Sequence, residues 1–145
     1  MMEMDDEFLE VNDLDWFASF QDGMLAHFAT GGRGYIPVQI RESIAAYEKS
    51  LDYFLSVEGG VGVLVIEENL PKFNSALQRE RYLKSFIAMA GRGLFSYDVN
   101  QLGGYSLIAR PQAGLRLCEL PGDIRGVIHV LSLRFSSRID VSSMI

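Results

Sequence analysis

Cysteine is almost missing from this chain, since Cys118 is the single one among 145 residues. One thiol cannot form an internal disulfide, which excludes the disulfide-rich secreted scaffolds and indicates a reducing compartment. The longest apolar candidate, Val61 to Ile66, has the length of a strand and falls far short of the roughly 20 residues that span a membrane. The acidic N-terminus also lacks the positive and apolar regions of a secretory signal. These absences predict a cytoplasmic protein with no membrane partner.

Positive charge is absent from the first 32 residues, which carry eight acidic residues and neither lysine nor arginine. The remainder has 13 basic and 11 acidic residues, and the whole chain has a net charge of −6. Such an acidic segment repels the phosphates of nucleic acids and favours a cationic protein partner, although it could equally be a solvated tail that maintains solubility. The acidic residues expected to attract a partner are Asp5, Asp6, Glu7, Asp13, Asp15 and Asp22.

Signatures of catalysis and of metal binding are missing as well. The two histidines, His27 and His129, have no metal-ligand spacing around them, and no Gly-x-Ser-x-Gly nucleophile motif occurs. We therefore predict no catalytic residue, no metal site and no cofactor. An enzyme whose site is assembled from residues distant in sequence stays open as an alternative.

Two glycine-rich segments contain the tripeptide Gly-Arg-Gly, centred on Arg33 and on Arg92. Neither has the lysine and hydroxyl of a P-loop or the third glycine of a dinucleotide-binding motif. One interpretation is that these glycines only form tight corners after a strand and after a helix. The alternative is a small anionic ligand, or a substrate, held by Arg33, Arg92 and His27.

Hydrophobic periodicity predicts the elements of one α+β domain. Asp22-Gly23 lies between two aromatic-rich segments and indicates a hairpin with a two-residue turn, which would place Trp16 on the same face as His27. Helical spacing covers residues 38–57, and a Ser-x-x-Gln capping box at Ser75 begins a second helix that ends near Ala90. Strands are expected at residues 62–68, 93–98, 104–110 and 114–120, and residues 121–135 favour a helix over a strand.

The chain as a whole is expected to have an acidic arm at residues 1–13 and a single domain at residues 14–145. The mixture of hairpins and separated helices predicts a largely antiparallel sheet with two or three packing helices. Both faces of the hairpin are apolar, so either other elements cover both or one face is reserved for a partner. In the second case Trp16, Phe17 and Phe28 would be the anchors, and a homodimer is an alternative occupant.

Three segments carry a resemblance to known proteins. They are DWFASFQDGMLAHFATGGRGYIP, LDYFLS and GRGLFSYD, together about a quarter of the chain. Here the chain resembles small uncharacterised bacterial proteins, some of which are similar to immunity proteins of polymorphic or contact-dependent toxin systems. This resemblance implies an inhibitor that neutralises a cognate toxin by binding it, with no chemistry of its own. A small-ligand binder or enzyme and a regulatory or assembly subunit are the alternatives.

Overall fold

Residues 2–11 and 14–145 are described by a computed structural model of the protein. These residues form an α+β domain, which confirms the predicted fold class. The helices are α1 (Asp6–Val11), α2 (Val38–Arg41), α3 (Ile44–Ser56), α4 (Ala76–Gly91) and α5 (Gly122–Arg125). The strands are β1 (Asp15–Ser19), β2 (Leu25–Ala29), β3 (Val63–Val65), β4 (Phe95–Val99), β5 (Tyr105–Pro111) and β6 (Arg138–Ile139).

The strands form one mixed sheet in the order β1-β2-β4-β5-β3, and β6 also pairs with β5. β2 and β4 run parallel, and the other paired strands run antiparallel. The prediction of a largely antiparallel sheet is therefore confirmed. Because β2 and β4 are parallel, their carboxyl ends meet at the same edge of the sheet, where two loops come together.

The hairpin of β1 and β2 forms where the sequence predicted it, but its register differs by one residue. Its loop has three residues, because Phe20 pairs with Met24 and Gly23 adopts a left-handed φ of 84°. Trp16 consequently lies opposite Phe28, while His27 lies opposite Phe17 on the other face. The expectation that Trp16 and His27 share a face was wrong, since a one-residue shift moves every side chain of a strand to the opposite face.

Both faces of the sheet are covered within the chain. On one face a buried aromatic cluster includes Trp16 and Phe28, and the segment around Leu131 packs against it. On the other face α3 and α4 contribute Phe54 and Phe86 to two further apolar clusters. The apolar faces of the hairpin are thus core surfaces of the domain.

Local capping decides where the two long helices begin. Ser75 Oγ accepts a hydrogen bond from the Gln78 backbone N–H at 3.1 Å, which confirms the predicted start of α4. The predicted helix at residues 38–57 is instead divided in two, because Ser43 has extended backbone and caps α3 through the Ala46 N–H. Its short first part becomes α2.

Three other predicted elements differ from the structure. Within residues 62–68 the strand is only the three-residue β3, and a 3₁₀ turn begins at Glu67. Residues 114–120 contain a 3₁₀ turn at Leu117–Glu119 in place of a strand. Residues 121–135 are helical only in α5. Beyond it the chain extends beside β1, where the Ser19 N–H donates to the His129 carbonyl and the Leu131 N–H donates to the Ser19 carbonyl. This pairing gives hydrogen-bond partners to backbone groups at the open edge of the sheet.

One prediction concerns the close approach of β6 to the start of β5. A Cβ at Gly104 would overlap the Ile139 carbonyl oxygen, so we expect Gly104→Ala to lower the free energy of unfolding by about 1–3 kcal/mol, as overpacking does. Gly126→Ala is the matched control, because Gly126 has a right-handed helical φ of −67° and only an ordinary contact at 3.4 Å. Urea denaturation of both variants tests this expectation, and equal stabilities would contradict it.

Candidate functional site

A cleft of about 350 Å³ lies at the carboxyl ends of β2 and β4. After β2 the chain turns through Gly31 and Gly32, whose φ values of 55° and 75° are left-handed. This turn brings Arg33 to the loop that follows β4, where its Nη1 donates a hydrogen bond to the Asn100 carbonyl at 2.7 Å. We call this site, which Arg33, Tyr82 and Asp98 help to line, the carboxyl-end cleft.

Asp98 and Tyr82 form a hydrogen-bonded pair inside the carboxyl-end cleft. The Tyr82 hydroxyl donates to Asp98 Oδ2 at 2.6 Å, and the Val99 backbone N–H donates to Asp98 Oδ1 at 2.9 Å. Burial raises the pKa of Asp98, while these hydrogen bonds and the charge of Arg33 oppose that rise. Burial and the contact with Asp98 together raise the pKa of Tyr82 well above its ordinary value. The hydroxyl is therefore a firm donor to the carboxylate.

A second polar chain, Asp15–His27–Ser96, lies deeper on the same face of the sheet. His27 Nε2 is 2.7 Å from Asp15 Oδ2, and His27 Nδ1 is 2.7 Å from Ser96 Oγ. The residue types are those of a hydrolytic triad. However, His27 and Ser96 are both 0% exposed, so the hydroxyl cannot meet a substrate. These hydrogen bonds instead satisfy the polar groups of His27 and Ser96 within the core.

The three residues of the predicted anion site do not come together. Arg33 lines the carboxyl-end cleft, whereas Arg92 follows α4 at the opposite end of β4 and donates hydrogen bonds to the carbonyls of Val57 and Ala88. His27 is enclosed, with both ring nitrogens engaged. The two Gly-Arg-Gly segments therefore cannot form one shared site for an anion.

The predicted partner-binding residues are mostly interior. Trp16 and Phe28 are 0% exposed and Phe17 is 4% exposed, so these aromatic rings belong to the core and present no surface to a partner. Asp15 contacts His27 through one carboxylate oxygen. Asp22 is half-buried, and its Oδ2 accepts a hydrogen bond from the Phe135 backbone N–H at 3.4 Å. The predicted Asp13 lies outside the described residues.

The acidic residues nearest the N-terminus do reach the surface. Met4 is 2% exposed, and its backbone N–H donates to the Arg41 carbonyl at 2.8 Å, which fixes this segment beside α2. The carboxylates that flank it are exposed. Asp6 forms an ion pair with Arg41 at 3.3 Å, and this pair is weak because Asp6 is exposed to solvent. We call this region the acidic surface; it comprises Glu3, Asp5, Asp6, Glu7 and Glu42.

Comparisons with known proteins give no relative for this chain: no family model, curated protein or solved structure matches it. Within residues 2–11 and 14–145, no group of three or more His, Cys, Asp or Glu side chains could hold a metal ion. The helices of this described part are all too short or too polar to cross a membrane.

The sequence patterns did not single out Asp98 and Tyr82, the central pair of the carboxyl-end cleft. One signal was available, because Asp98 is close to the end of a predicted strand and is followed by a turn containing Asn100. Tyr82 gave no comparable signal, since an aromatic residue on a helix is usually part of the core. Their contact depends on how α4 crosses β4, which is a property of the tertiary structure.

Proposed function

We infer that the protein is a non-enzymatic binding protein, an immunity-like inhibitor that neutralises a basic toxin by covering part of its surface. The observation that carries this proposal is the acidic surface, where four exposed carboxylates of the N-terminal segment are held beside Arg41 and the exposed Glu42. A toxin that acts on nucleic acid has a cationic site, and a carboxylate array complements such a site in the way that phosphates do.

The anchoring of the N-terminal segment makes this array effective. Ile44 donates a backbone hydrogen bond to Met2 at 2.9 Å, so the segment is tied to the start of α3 as well as to α2. Carboxylates on a tethered segment lose less conformational entropy on binding than those on a free tail. Val38, which is 59% exposed, lies beside Glu3 and Glu42 and offers an apolar contact at the edge of the array.

Charge neutralisation tests this proposal. We expect the triple variant Asp5→Asn, Asp6→Asn and Glu7→Gln to bind a basic partner with an association rate about tenfold lower, because steering depends on the carboxylate field. The partner is first captured from a lysate of the source organism at low and at raised salt, and its toxic activity is then measured with and without this protein. Association rates are measured by surface plasmon resonance.

The matched control removes charge elsewhere. Asp52, Glu58 and Glu80 are exposed and lie outside the acidic surface, so Asp52→Asn with Glu58→Gln and Glu80→Gln, which removes the same three negative charges, should leave the rate close to that of the unmodified protein. Capture of no basic protein, a captured protein whose activity is unaffected, or recovery of the protein's own dimer alone would each contradict the proposed function. Equal rates for the two variants would contradict the role of the acidic surface.

A further inference from the structure

We propose that the carboxyl-end cleft binds a small zwitterion of the free amino acid class, with the ligand carboxylate at Arg33 and its ammonium group at Asp98. This inference goes beyond the proposed function, because it concerns a different surface and a different kind of ligand. It stands or falls independently of whether the acidic surface binds a toxin.

The size and position of the cleft suit a small molecule. Its volume of about 350 Å³ is in the range of ligand sites in proteins. It also lies outside the carboxyl ends of neighbouring parallel strands, β2 and β4, a place where α/β sheets commonly bind ligands. Part of the cleft is lined by the apolar side chains of Leu70, Pro71 and Ile108. A ligand with polar ends and an aliphatic or small aromatic body would therefore contact surfaces of matching polarity.

The charges of the cleft are held in place but keep unused hydrogen-bonding capacity. Asp98 accepts two hydrogen bonds, from Tyr82 and Val99, while a carboxylate has about four acceptor positions. Arg33 donates one N–H to the Asn100 carbonyl, while a guanidinium has about five N–H donors. Each group is oriented by its own protein partners, so an anionic and a cationic end exist before any ligand arrives.

The neighbouring polar groups indicate which end of a ligand each side prefers. Asn69 also lines the cleft and donates its side-chain N–H to the Leu107 carbonyl, so its amide oxygen is the acceptor that this side chain can offer a ligand. The acceptors of Asp98 and Asn69 match the donors of an ammonium group. A simple anion would be repelled by Asp98 and a simple cation by Arg33, whereas a zwitterion satisfies both.

Titration with defined probes tests the inference. The twenty free L-amino acids are added one at a time, and binding is followed by thermal unfolding and by isothermal titration calorimetry. We expect at least one of them to raise the unfolding temperature, because a ligand that binds the native state stabilises it. The N-acetyl and the carboxamide derivatives of that same amino acid lack one charge each, and both should bind about tenfold or more weakly.

Two variants that each remove one charge of the cleft locate the binding. Asp98→Asn and Arg33→Gln should each weaken binding about tenfold or more, and Arg92→Gln at the other end of β4 should leave it unchanged. Unfolding of each variant without ligand establishes that it is folded. The inference is overturned if no amino acid binds, if the blocked derivatives bind equally well, or if Asp98→Asn and Arg33→Gln both bind like the unmodified protein.

Discussion

Replacing Phe28 by alanine is expected to lower the free energy of unfolding by about 3–5 kcal/mol, the usual cost of deleting a buried aromatic ring. Phe28 is fully buried, stacks on Trp16 with ring centroids 4.0 Å apart, and stacks on Tyr97 at 5.0 Å. It also meets the edge of Tyr105 at 5.0 Å. Removing the ring therefore takes away contacts with three neighbours and leaves a cavity that these large side chains cannot readily fill.

Urea denaturation followed by the fluorescence of Trp16 measures this loss. Leu102→Ala is the control, because Leu102 is 73% exposed and its replacement should change stability by less than about 0.5 kcal/mol. The experiment also separates two interpretations of the aromatic hairpin. A Phe28→Ala variant that kept its stability and lost a protein partner would restore the prediction that this ring is an interface anchor.

Replacing His27 by leucine is expected to lower the free energy of unfolding by about 3 kcal/mol. The substitution leaves the Ser96 hydroxyl, which is 0% exposed, and one oxygen of the Asp15 carboxylate without the partner that each has in the native fold. A buried polar group left unsatisfied costs about 1–3 kcal/mol, and a charged one costs more. Leucine has a suitable size, so the loss reports the hydrogen bonds more than the packing.

The other histidine supplies the comparison for this experiment. His129 is only half-buried, and we expect His129→Leu to change stability by less than about 1 kcal/mol. Adding Ser96→Ala to His27→Leu should recover part of the lost stability, because it removes the orphaned hydroxyl. A His27→Leu variant as stable as the unmodified protein would show that the chain Asp15–His27–Ser96 contributes nothing to folding.

Elements with local causes could be predicted from the sequence. Ser75 begins α4 because its hydroxyl reaches the N–H three residues later, and Gly23 turns the hairpin because glycine accepts a positive φ. The mixture of hairpins and separated helices likewise predicted the α+β class. The predicted bounds of a helix were wrong where two local causes competed. The apolar stripe of residues 38–57 favours one continuous helix, but Ser43 caps α3 and so separates it from α2.

The candidate sites show the same division. Arg33 was singled out from its glycine-rich surroundings, and the structure does place it at a cleft. Its partners there, Asp98 and Tyr82, come from β4 and α4, and the arginine expected beside it, Arg92, lies at the other end of β4. The sequence could not reveal this arrangement. The two Gly-Arg-Gly tripeptides are identical, but their identity does not indicate which ends of the strands lie close together.

By itself the sequence determined the concentration of acidic residues in the first 32 positions, the start of α4 and the presence of the hairpin. Capping and turn formation depend on residues only a few positions apart. The tertiary structure alone decided that β2 runs parallel to β4, that the hairpin aromatics are interior, and that His27 bonds to Ser96, 69 residues further along the chain. The physical reason is that strand pairing and burial are settled by competition among all apolar surfaces of the chain, whereas capping and turn formation are settled within one turn of backbone.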